Sequence, residues 1–113
     1  MNPNVRANQL ILMGRLHERQ ELRVLPTGMP VFDCILWHES DVTEAHATRS
    51  LGFLLSARAV GPVAERMARL QTGTSIRAWG FVAPRRQAKA ESAEQARVAS
   101  SLIFTINEFT LGE

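Results

Sequence analysis

Apolar side chains recur at every second residue over much of this chain, the period of a half-buried β-strand. From Gln9 to His17 this places Leu10, Leu12, Gly14 and Leu16 on one face and Ile11, Met13 and Arg15 on the other, which predicts a first strand. The second face is also apolar near its start, so cover by a neighbouring strand or by another chain is expected. Glu21 to Leu25 is a candidate continuation. Pro26-Thr27-Gly28-Met29-Pro30 predicts a turn, because Pro fixes φ and Gly accepts positive values. Val31 to His38 is a second strand, with Phe32, Cys34, Leu36 and His38 toward the core and Asp33, Ile35 and Trp37 away from it. The polar stretch Glu39 to Thr48 shows little period and predicts a connecting loop. Arg49 to Ala59 is a third strand, with Leu51, Phe53, Leu55 and Ala57 facing inward.

Gly61-Pro62 then opens a short helix, since Pro is favoured at the first helical position, and Val63, Met67 and Leu70 form its apolar stripe. Glu65 and Arg69 are expected to pair on the exposed side, and Thr72-Gly73 to end the helix. Ile76, Ala78, Gly80 and Val82 alternate inward on a fourth strand, leaving Arg77, Trp79 and Phe81 on its outer face. Pro84 stops it. Segment 84–98 is polar and offers no apolar stripe on which a helix could dock, so it reads as a long loop. Ser101 to Leu111 is a fifth strand, with Leu102, Phe104 and Ile106 on one face and an irregularity that turns Phe109 and Leu111 onto the other.

The result is an all-β chain of five strands, with one short helix between strands 3 and 4 and a long loop between strands 4 and 5. That is the order of the five-stranded oligonucleotide-binding (OB-fold) barrel. Gly14 and Gly80 suit the bends of such a barrel, where curling strands leave no room for a side chain. At 113 residues and 45% apolar composition, the chain reads as a single domain, 1–113, with a modest core that a dimer interface would supplement. The fold hosts binders of nucleic acid, sugars and proteins, so function has to be read from the surface.

Charge narrows the choice. Between Ala45 and Ala90 lie eight basic residues and one carboxylate, Glu65, in a chain whose formal net charge is only +2. The acids gather in residues 18 to 44 and 91 to 113. Trp79 and Phe81 sit inside the basic segment at strand spacing, so guanidinium groups for phosphates and flat rings for bases share alternating strands. Candidate DNA contacts are Arg23, Trp37, Arg49, Arg58, Arg77, Trp79, Phe81, Arg85, Arg86, Lys89 and Arg97. Trp79 and Phe81 serve equally as cover at a dimer contact, and Arg66 and Arg69 read as ordinary helix-surface charge. The single cysteine, Cys34, is a small core residue. The three histidines show no ligand spacing, so neither metal nor cofactor is expected. The start of the chain lacks a charged region followed by an apolar one, and no run approaches a membrane span, so a cytoplasmic location is expected.

Four segments together resemble the family of primosomal replication protein N (PriB), related to the single-stranded DNA-binding proteins. They are Asn8 to Leu16, Pro26 to Pro30, Cys34 to Ser40, and Gly73 to Phe81 with Trp79-Gly80-Phe81 at its centre. The resemblance implies a homodimer of barrels without catalytic activity, binding single-stranded DNA and helping the primosomal helicase PriA and the loading factor DnaT assemble at stalled forks. By position it implies that Arg23, Arg49, Arg86 and Arg97 stand where the family carries basic residues. Two positions depart from it: Gly52 stands where well-known members have a stacking tryptophan, and Glu39 replaces an arginine. A protein-interaction module without direct DNA binding is the alternative reading. An enzyme is the weakest, since no paired carboxylates, nucleophile elbow or phosphate-cradling glycine loop is found.

Overall fold

Six strands and one helix form in the computed structural model, which describes residues 6–85 and 101–112. In chain order they are β1 (Leu10–Arg19), β2 (Arg23–Val24), β3 (Pro30–Glu44), β4 (Ala47–Val60), α1 (Pro62–Met67), β5 (Ser75–Pro84) and β6 (Leu102–Leu111). The two-residue β2 only lines the edge of β3. The five long strands run β1-β5-β6-β4-β3, and β3 pairs back to β1, which closes the sheet into a barrel. β4 and β6 lie parallel and every other pairing is antiparallel. This is the OB-fold order expected from the pattern of apolar positions.

Inward residues of all five strands fill the barrel. Leu16, Phe32, Leu36, Ile76 and Phe104 are completely buried. α1 closes one end and inserts Val63, Ala64 and Met67 into the same cluster. Burial of each large side chain contributes about 1.5–3 kcal/mol. The carbonyls of Ala68 and Leu70, just past the helix, accept hydrogen bonds from Arg19 of β1 at 2.7 Å each, and the Arg19 guanidinium lies over the Phe32 ring. A cation at this end also complements the helix dipole. Gly80 is where β5 and β6 come closest: a Cβ there would overlap the carbonyl oxygen of Thr105. The register shifts at that point, with Trp79 opposite Glu108 and Gly80 opposite Ile106, so Asn107 bulges out. An irregularity is expected in the last strand, but its effect is the opposite: it returns Phe109 to the core side with Phe104 and Ile106 in place of turning it away.

Several expectations need correction. Glu39 to Thr48 is not a loop: β3 and β4 continue as a hairpin arm beyond the barrel, paired in unbroken register down to Glu44 opposite Ala47. Ala45 and His46 make the turn with φ of 52° and 67°, the primed geometry that matches strand twist. Phe53, expected in the core, lies at the base of the arm, exposed and tilted against the His38 ring. His38 is buried there between the carbonyl of Met13 and the hydroxyl of Ser40. The helix ends at Met67 rather than at Thr72-Gly73. Glu65 and Arg69 form no ion pair among the described residues; Arg66 instead pairs with Glu108 and lies over Phe109. In β6, Ile103 is buried in place of Leu102, which is exposed.

Candidate nucleic-acid interface

The outer wall made by β1, β3 and β4 gathers charge and flat apolar surface. Antiparallel register sets Asp33 opposite Arg58, Ile35 opposite Ser56, Trp37 opposite Leu54 and Glu39 opposite Gly52, all facing away from the core. At the lower end one carboxylate holds two guanidiniums. Arg58 donates to one oxygen of Asp33 at 2.8 Å, while Arg23, reaching from β2, donates to the other at 3.0 and 3.1 Å. Burial pushes the Asp33 carboxyl up, but hydrogen bonds and charge from Arg58 and Arg23 together outweigh it and hold the group below its ordinary range. The cluster keeps one net positive charge. Arg85 lines an adjoining groove with Asp33, Ile35, Ser56 and the acidic Glu18. Cys34 lies beneath it, with its thiol pushed up to about 12 by burial and by the neighbouring Asp33.

Trp37 stands further up this wall, half-buried, beside its cross-strand partner Arg15 on β1. The edge of its ring meets Gly52: a Cβ at that position would be 3.1 and 3.3 Å from two ring carbons. The Trp37 ring edge thus fills the space that a side chain at position 52 would need. The outer row continues round the barrel, since Arg58 is level with Thr105 of β6 and Thr105 with Phe81 of β5. Phe81 is half-buried in a groove shared with Arg58 and Val60.

Arg77 and Trp79 face another way. They lie on the β1–β5–β6 side, where Trp79 is level with Ile11, and Arg77 with Met13. Ile11, Met13 and Trp79 are exposed by 61%, 49% and 37%, a contiguous apolar patch beside an open cavity of about 710 Å³. Along this stretch β1 pairs with β5 on one edge only, because its pairing with β3 begins at Arg15. Arg49 is out on the hairpin arm, paired with Glu44, and both side chains are about 60% exposed, so the pair adds little stability. Arg86, Lys89 and Arg97 lie outside the described residues.

Arg15 and Leu54 were not singled out from the sequence. Arg15 forms no ion pair among the described residues, and it adjoins both Trp37 and Met13, so it links the two stretches of wall. The signal was present in the alternation of β1, which put Arg15 on the outer face; what was missing was that β3 runs beside it. No group of three His, Cys, Asp or Glu side chains among the described residues could hold a metal, and no helix among them is long and apolar enough to cross a membrane.

Comparison with known proteins agrees with this geometry. Residues 8–107 match the model of a family described as "Another single-strand binding protein family". Replication restart protein PriB of Bordetella pertussis is 34% identical over 99 residues, covering 84% of this chain and 92% of that protein. Its counterpart in Nitrosomonas europaea is 29% identical over 80 residues, covering 71% and 74%. Among solved structures, PriB from Ralstonia solanacearum superposes with a TM-score of 0.76 at 27% identity over 95% of this chain and 99% of that one. The single-stranded DNA binding protein of Thermus aquaticus gives 0.69 at 22% identity, over 95% and 50%, a likeness of fold.

Proposed function

This chain belongs to the single-strand binding protein family, on its PriB branch, and from that premise we propose that it is a non-catalytic single-stranded DNA-binding accessory protein of replication restart. The observation that carries the proposal is the β1–β3–β4 wall. It joins what a flexible polyanion needs: the Arg23–Asp33–Arg58 cluster, Arg85 and Arg15 for phosphates, and Trp37 for a base. Arg86, Lys89 and Arg97 add three positive charges to the sequence between β5 and β6. Arg49 would meet a strand that follows the arm. Arg77 and Phe81 flank the wall on its two sides.

The patch of Ile11, Met13 and Trp79 suits a second copy of the chain, because an exposed apolar surface beside an open strand edge invites pairing. In this proposal the protein is a cytoplasmic homodimer that helps the helicase PriA and the factor DnaT assemble at stalled forks. Binding of labelled oligo-dT over a range of salt concentrations tests the DNA-binding reading. The logarithm of affinity should fall linearly with that of salt, with a slope near 0.7 for each phosphate engaged, and tryptophan fluorescence should be quenched as bases stack. A protein-interaction module predicts no quenching, and affinity unaffected by salt refutes the proposal.

A further inference from the structure

Trp37 is held on two sides. The Cζ2–Cη2 edge of its ring abuts Gly52, where a Cβ would be 3.1 and 3.3 Å away, and its indole N–H donates to the carboxylate of Glu39 at 2.5 Å. Glu39 is exposed and lies two residues along the same face of β3. Ring and carboxylate border a cavity of about 160 Å³ that Arg15 and Met13 close from the β1 side. A ring held along its benzo edge by Gly52 and at its nitrogen by Glu39 is pre-organised as a platform, with little rotamer freedom left to lose on stacking.

Each group in this cavity has a distinct task. The ring stacks on any base and selects none. Arg15 has the planar fork to grip a phosphate or cover the far face of the base. Glu39 is different, because an ionised carboxylate only accepts hydrogen bonds and has about four acceptor positions, one of them used by the indole. An acid in a DNA-binding cavity repels phosphates, so its effect on affinity is unfavourable unless it reads an edge that donates.

We infer that Trp37, Glu39 and Arg15 form a subsite that selects guanine from single-stranded DNA. The inference rests on the single-strand-binding reading above. Guanine presents two adjacent donors on its pairing edge, N1–H and the exocyclic amine, and these match the two oxygens of one carboxylate. Cytosine and adenine each present one amine beside a ring-nitrogen acceptor that the carboxylate repels. Thymine presents a single N–H between two carbonyls and fits worst. Unpaired bases are read along these edges while they stack on aromatic rings. A bidentate contact to a base edge discriminates by roughly 5- to 150-fold, and an exposed carboxylate belongs toward the lower end, about tenfold.

Fluorescence anisotropy on oligo-dT and on the same strand carrying one central dG, dA or dC tests this. Wild-type protein should bind the dG strand about tenfold more tightly than oligo-dT. Glu39→Gln should lose the preference for the dG strand and bind more tightly overall, since an acid has been removed. Trp37→Ala should weaken binding to every strand and abolish the preference. Thermal melting of Glu39→Gln, a change at an exposed residue, reports whether the fold is intact. Equal affinity of the wild type for all four strands, with tryptophan quenching retained, overturns the subsite and leaves DNA binding standing. A preference that survives Glu39→Gln overturns it as well. Failure of the wild type to bind any strand overturns both readings.

Discussion

Replacing Asp33 with Asn should make the protein less stable and a tighter binder of single strands. In the native cluster one carboxylate sits between two guanidiniums, at 2.8 Å from Arg58 and 3.0 Å from Arg23, so two positive charges are offset by one negative. Asn keeps the shape and one acceptor oxygen but removes the charge, and the local excess rises from one to two. A further phosphate engaged by a freed guanidinium steepens the salt dependence by about 0.7, which means about fivefold more affinity gained for each tenfold reduction in salt. Stability moves the other way. The Arg58 side chain is only 16% exposed, and loss of its charged acceptor costs about 1–3 kcal/mol. For a domain of this size that is a fall in melting temperature of about 4 °C per kcal/mol. Anisotropy titrations at several salt concentrations, with melting curves on the same samples, measure both. A slope equal to that of the wild type would refute the reasoning, because Arg23 and Arg58 would then be bracing the first loop and not facing phosphate.

Gly80→Ala should cost about 3 kcal/mol or more in denaturant unfolding, since its Cβ would overlap the Thr105 carbonyl and force β5 from β6; wild-type stability would contradict that contact. Cys34 should resist thiol reagents in the folded protein, because burial first and the Asp33 charge second push its pKa up to about 12, so labelling should keep pace only with unfolding. Stability should fall in acid, partly through Asp33. Its folded pKa is lowered, so as pH drops below roughly 4 the unfolded chain takes up the proton first, and the contribution present above that pH is lost through the folded pKa. Asp33→Asn should flatten this part of the stability curve, and an unchanged acid limb would argue against the ion-pair cluster.

The barrel was legible because its inward residues alternate with little interruption: Leu10 to Leu16, Phe32 to His38 and Ile76 to Gly80 each name a core face. The order of elements then left few topologies. The hairpin arm was not legible for a physical reason. Beyond His38 both faces of β3 meet solvent, so Glu39 to Glu44 carry no burial period, and the turn uses Ala45-His46 in place of the Asn-Gly type that marks such geometry. Two residues at positive φ without a glycine cost roughly 1–2 kcal/mol each, which the continuous β3–β4 ladder offsets.

For the candidate site, sequence reading found charged and aromatic residues but not their partners. Arg23 and Arg58 are 35 positions apart, and both reach Asp33 because β2 and β4 each pair with β3 in the sheet that closes as the barrel. The same closure turns Arg77 and Trp79 away from Trp37, although all three read as outward-facing. Alternation tells which side of a strand a residue occupies; it does not tell which part of a barrel's circumference that side faces. The glycine at position 52 looked like a lost stacking residue, and its relation to Trp37 is a diagonal contact between strands that no local pattern encodes.

Amide and indole NMR shifts of isotope-labelled protein, followed while oligo-dT is added, locate the bound strand on the barrel. The largest changes should fall along one wall, at the Trp37 indole and at Arg15, Ser56 and Arg58, with the α1 end of the barrel unmoved. Changes centred on α1 and the neighbouring turn at Gly73, with the Trp37 indole unaffected, would contradict binding along that wall.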